Sequence, residues 1–107
     1  MSPRGEFKTP AGKLIAVEFA ISDGFLRDVV VTGDFFLYPE EALSSLGAAL
    51  EGSPSGLTAA QYADRVRPVL AGGVELLGSS PEAMGEAVIR ALNATEMARA
   101  GDVSRSE

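Results

Sequence analysis

The stretch Leu14-Ile15-Ala16-Val17-Glu18-Phe19-Ala20-Ile21-Ser22-Asp23-Gly24-Phe25-Leu26-Arg27-Asp28-Val29-Val30-Val31-Thr32-Gly33-Asp34-Phe35-Phe36 decides the fold. Up to Ile21 it alternates. Ile15, Val17, Phe19 and Ile21 fall on one side, and Leu14, Ala16, Glu18 and Ala20 on the other, the pattern of a strand with one buried face. Asp23-Gly24 then marks a hairpin, because a type I′ turn needs positive φ at both central residues. The pattern predicts paired strands over 14–22 and 25–36. In the return strand the apolar spacing slips, from Leu26 to Val29 and then Val31. One extra residue near Arg27-Asp28, a β-bulge, lets Leu26, Val29 and Val31 face inward opposite Ile21, Phe19 and Val17. Without it Asp28 would oppose Phe19 on the buried face, a costly place for a carboxylate.

Before the hairpin, Phe7-Lys8-Thr9 reads as a short first strand and Pro10-Ala11-Gly12 as a turn. Behind it the reading changes to helix. Pro39 suits a first helical position, with Glu40 and Glu41 near the positive end of the helix dipole. Leu43, Leu46 and Leu50 form the apolar stripe, with Ala42 and Ala49 beside it, and Gly52 is the expected stop. Residues 52–56 are a loop by composition. Thr58 with Gln61 matches a capping box, and Leu57 with Tyr62 a hydrophobic staple. This second helix is expected to stop or kink before Pro68. Val69 to Leu77, interrupted by Gly72-Gly73, reads as a connection or short helical turns. Ser80-Pro81-Glu82 opens a third helix whose apolar face is Met84, Ala87, Val88, Ala91 and Leu92. The expected architecture is α+β, a small antiparallel sheet with helices packed on one face. One domain over 1–100 is followed by a frayed tail at 101–107.

Composition narrows the chemistry. The 107 residues support a single core, and 46 % apolar content is that of a globular protein. A formal charge of −6 opposes nucleic-acid binding, which needs clustered Lys and Arg. With no cysteine and no histidine, the chain lacks thiolate nucleophiles, the commonest general base and the commonest metal ligands. No catalytic residues, bound metal or cofactor are therefore expected on this chain. No segment reads as a secretory signal or a bilayer span, so a cytoplasmic protein is expected and the Asn93-Ala94-Thr95 sequon carries no meaning.

The candidate contact residues gather where the return strand ends. Phe35 and Phe36 are neighbours on a strand, so one ring points inward and the other outward, where it needs a partner. Tyr38 extends that exposed aromatic group. Asp34 beside them can accept hydrogen bonds from a partner, although local capping is the commoner use of such an Asp. Lys13 follows a turn with one glycine, and its plain reading is a solvated lysine flanking a strand. Glu75, Glu82 and Glu86 read as solvated surface, and Gly72-Gly73 as a connection.

The series Phe7-Lys8-Thr9-Pro10-Ala11-Gly12-Lys13-Leu14, an apolar strand, Asp23-Gly24, a second strand, Gly33-Asp34-Phe35-Phe36 and Pro39-Glu40-Glu41-Ala42-Leu43 resembles a known family over residues 5–52. It looks like the small C-terminal accessory domain of lipoate–protein ligases, in the form made as a separate polypeptide. Ala11-Gly12 stands where that family would show a Gly-Gly pair. The resemblance implies a fold similar to SufE- and NifU-like proteins. It also implies a partner, a large catalytic subunit that holds ATP and lipoate, forms lipoyl-adenylate and passes the lipoyl group to a lysine of an acceptor domain. Carried onto this chain, it makes Lys13, Asp34, Phe35 and Phe36 candidates for the contact with that subunit. A sulfur-transfer role, suggested by the shared fold type, lacks the thiolate it needs. An interaction or regulatory module with no part in lipoylation would expose the same corner and stays open as the alternative.

Overall fold

The computed structural model describes the main chain of residues 3–9 and 13–105, with side chains through residue 94. The expected turn at 10–12 lies outside the described residues. Strands β1 (Arg4–Lys8), β2 (Leu14–Ser22) and β3 (Phe25–Gly33) form an antiparallel sheet in that order. Helices α1 (Ala42–Leu50), α2 (Ala59–Ala71) and α3 (Pro81–Arg105) follow. Two short strands, β4 (Phe36–Tyr38) and β5 (Glu75–Leu77), pair antiparallel in a second sheet. The fold is the expected α+β class.

The central hairpin forms as the sequence dictates. Asp23 and Gly24 have φ of 54° and 83°, as the two-residue turn demands. The register places Ile21 opposite Leu26 and Val17 opposite Val31, and it shifts between Glu18 and Ala20. Asp28 and Val29 thus share the place opposite Phe19, and Asp28 takes a φ of 55°. The bulge turns the Asp28 carboxylate to solvent. A device invisible in the sequence holds it there: the Glu51 carboxylate accepts hydrogen bonds from the N–H groups of Asp28 and Val29, both at 3.1 Å.

The core lies between the inner sheet face and the helices. Ile15, Val17, Phe19 and Leu26 are buried against Leu46, Leu50, Tyr62, Met84 and Val88. Ile21 keeps its inward register but is exposed, a correction to the expected burial; its partner Leu26 is buried and Ile21 lies one residue from the strand end. Thr58 caps α2 with the full reciprocal box to Gln61, and the Ser80 hydroxyl accepts from Ala83 N–H at the start of α3. Gly5 marks where α3 crosses β1. A Cβ there would overlap the main chain of Ala87 and Ala91, so only glycine permits this approach.

Several expectations need correction. β1 runs Arg4–Lys8 rather than 7–9. The second strand ends at Gly33, and Phe36 belongs to the separate sheet. Pro39 to Glu41 form a turn before α1, whose first residue is Ala42, so no acidic residue sits in its first turn. Helix α2 continues through Pro68 to Ala71. Pro68 lies near the helix end, and it and Asp64, whose carbonyl loses its partner, are both exposed, so water can satisfy that carbonyl. The stretch after Gly73 is strand β5, not helical turns. Helix α3 crosses Gly101 and runs to Arg105, and residues 106 and 107 lie outside the described residues.

Candidate interaction site

At Gly33 the chain leaves β3 and bends before β4. A Cβ on Gly33 would overlap both the Leu14 carbonyl and the Phe35 ring, so glycine lets that ring fold back over the strand. Phe35 is half-buried and packs against the core cluster. Phe36, one residue on, points the other way and is 52 % exposed.

The second sheet extends this split. Leu37 pairs with Leu76, and both pack against the core. On the opposite face Phe36 pairs with Leu77 and Tyr38 with Glu75. Tyr38 is 61 % and Leu77 63 % exposed. Three large apolar side chains thus share one uncovered face. Contiguous exposure of this kind, with aromatic residues, is a mark of interaction surfaces.

Lys13 and Asp34 flank this face. The Asp34 N–H donates to the Leu14 carbonyl at 2.8 Å, which brings the end of β3 beside the start of β2. Thr9 N–H donates to the Lys13 carbonyl at 2.8 Å, and the Thr9 hydroxyl donates to the Gly78 carbonyl at 3.3 Å. The Lys13 stem lies close over Gly78, immediately after Leu77. The five candidate residues therefore meet at one end of the molecule. Asp34 corrects the capping expectation: its exposed carboxylate has no hydrogen-bond or ion-pair partner among the described residues. Lys13 likewise forms no ion pair among them.

Sequence reasoning missed Leu77 and the β4–β5 pairing. Three residues are too few to show a period of two, and the alternation Glu75-Leu76-Leu77 is broken by its own last residue. The nearest signal was Leu77 standing before Gly78, whose φ of 89° marks a turn.

Elsewhere several polar groups have structural partners, while the buried hydroxyls of Ser53 and Ser79 have none among the described residues. The Tyr62 hydroxyl, buried and therefore pushed above the usual tyrosine range, donates to the Pro54 carbonyl at 2.6 Å. Arg67 bridges Asp64 at 2.9 Å and Glu82 at 2.5 Å, and its hydrogen bond holds the Glu82 carboxyl below the usual range. A groove between β1 and the start of α3 is lined by Phe7, Thr9, Ser79, Ser80, Glu82 and Glu86. The Ser80 hydroxyl is engaged in capping, and no base stands ready for Ser79. Among the described residues no group of three or more Asp or Glu could hold a metal ion, and no helix is long and apolar enough to cross a membrane. What the arrangement offers is a surface for contact.

No family model and no curated protein matches the chain. Among solved structures it is similar to a chain of an archaeal lipoylation system from Thermoplasma acidophilum, described as a bi-partite lipoate protein ligase and its E2 lipoyl domain. The TM-score is 0.67 at 27 % identity, over 82 % of this chain and 94 % of that one.

Proposed function

We propose that this chain is the non-catalytic accessory subunit of a bipartite lipoate–protein ligase. It docks on the large catalytic subunit and enables ATP-dependent lipoate adenylation and protein lipoylation, with ATP and lipoate held by that partner. The observation that carries the reading is the uncovered Phe36–Tyr38–Leu77 face beside Lys13 and Asp34, on a fold similar to a component of such a system. A chain without histidine or cysteine contributes by positioning a partner's loops and excluding water from its site.

The solved system contains an acceptor domain as well as a ligase, and an acceptor needs a lysine to modify. Here the lysines are Lys8 and Lys13. Lys8 ends edge strand β1, and the Lys13 stem packs on Gly78. The deciding experiment measures lipoyl-adenylate formation by the large subunit with and without this chain, and its mass after incubation with ligase, lipoate and ATP. Faster adenylation with unchanged mass supports the accessory role. Equal rates without co-elution on a sizing column refute it, and a lipoyl adduct on Lys8 or Lys13 replaces it with the acceptor role.

A further inference from the structure

Two phenylalanine rings that reach the surface each carry an arginine. Arg90 lies over the Phe7 ring at 5.0 Å and Arg27 over the Phe25 ring at 5.9 Å. A guanidinium is attracted to the face of an aromatic ring, and it can lie flat there while its other donors reach a carboxylate. Beside Phe7 the chain supplies the carboxylate's partner as well, since Arg67 bonds Glu82 on the wall of the same groove. Phe36 is more exposed than Phe25, 52 % against 40 %, and has no cation over it among the described residues.

Beside Phe36 lies a pocket that holds the other parts of such a contact. Its volume is about 440 Å³, between the end of β3, β4 and the start of α1. Phe35, Leu37 and Leu43, all half-buried, form its apolar wall, and Phe36 and Glu40, both exposed, stand at its rim. Glu40 is the one charged residue lining it among the described residues. The Glu40 carbonyl accepts the Leu43 N–H at 3.0 Å, which fixes the residue beside the pocket. Its carboxylate has no hydrogen-bond or ion-pair partner among the described residues. The carboxylates of Glu51 and Glu82 are used by the fold, one on the bulge and one on Arg67. That of Glu40 is not.

We propose that this pocket receives one arginine side chain of the ligase's large subunit, with its apolar stem against Leu37 and Leu43 and its guanidinium between the Phe36 ring and the Glu40 carboxylate. This rests on the docking reading for the source of the arginine. A long basic side chain buries its methylene stem on apolar surface and keeps its charged head at the rim. Arginine suits the place better than lysine, because its planar group stacks on a ring and meets a carboxylate with two N–H donors. It is also among the residues that anchor protein interfaces. The chain's net charge of −6 draws a basic partner surface toward it. A second copy fits less well, since a symmetric contact through this corner would set Glu40 against Glu40.

The test measures the affinity of the large subunit for this chain and for Glu40→Gln, which keeps the side chain's shape and removes its charge. Affinity should fall by about tenfold or more, with unfolding unchanged. Glu41→Gln, next in sequence, exposed and outside the pocket, should shift it by about twofold or less. Arg→Ala variants across the large subunit should reveal one arginine whose loss costs about as much as Glu40→Gln, and the two changes together should cost little more than either. Equal affinity for Glu40→Gln, an equal loss from Glu41→Gln, or the absence of any arginine so coupled overturns the anchor while the docking reading stands. No complex with the unaltered chain overturns the docking reading and this proposal with it. Self-association that strengthens in Glu40→Gln assigns the corner to a second copy and also overturns it.

Discussion

Phe19 and Phe36 both stand in strands, yet one is wholly buried and the other half exposed. The difference belongs to their sheets. In the three-stranded sheet, α1 and α3 pack on the strands and α2 packs on those helices, so each inward side chain of β2 up to Phe19 meets apolar partners. The two-stranded sheet is only three residues long. It spends its middle pair, Leu37 and Leu76, on the core and turns the flanking pairs outward. A two-stranded ribbon has little stability of its own, so β4–β5 persists because that middle pair is anchored. The first region holds the fold. The second presents apolar surface at little risk to it.

Truncation should separate the two regions most sharply. Phe19→Ala removes a ring from the centre of the core and should cost about 3–5 kcal/mol, a large part of such a domain's whole stability. Denaturant unfolding measures it, and a cost under about 1 kcal/mol would dissolve the distinction. Phe36→Ala should leave unfolding nearly unchanged while weakening binding to the large subunit by about 1–3 kcal/mol, read by titration calorimetry. If it unfolds the protein instead, the ring is structural and the exposed face is not a docking surface.

The same contrast explains what the sequence made legible. The hairpin, its turn, the bulge and the caps of α2 and α3 were readable because each is a local device with a local signature. The split between Phe35 and Phe36 was readable from alternation alone. The pairing of β4 with β5 was not, since it joins residues nearly forty apart through strands too short for a period. Helix α2 was cut short because a proline was weighed without its setting: Pro68 sits near the end of the helix on an exposed face. The Asp34 side chain was misjudged because its own N–H, not its carboxylate, ties the corner to β2.

The Glu51 clamp sharpens the comparison within the larger sheet. Its carboxylate satisfies two consecutive amides that the bulge leaves without strand partners. Glu51→Ala should cost about 1 kcal/mol, since charge-assisted hydrogen bonds are worth more than neutral ones but these stand in solvent. It should also speed exchange at Asp28 and Val29 while leaving Phe19's surroundings intact. Unchanged exchange there would mean that water serves the bulge equally well.

The smallest effect is expected where α2 meets α3, at the exposed contact of Arg67 with Glu82. Arg67 holds the Glu82 carboxyl below the usual range, mainly by a hydrogen bond to its charged form. A group whose pKa is depressed by folding stabilises the fold above its unfolded value, about 4.3 for Glu, and loses that contribution as pH falls through the folded value. Both side chains are largely in solvent, so the contribution is small and screened. Thermal melts of the protein and of Glu82→Gln should therefore differ slightly near neutral pH, and the difference should fade in acid and in about 1 M salt. A difference that grew on acidification would reverse the assigned sign. One that survived high salt would show that Glu82 acts through packing beside the α3 start, making it part of the closed region rather than an ornament on its surface.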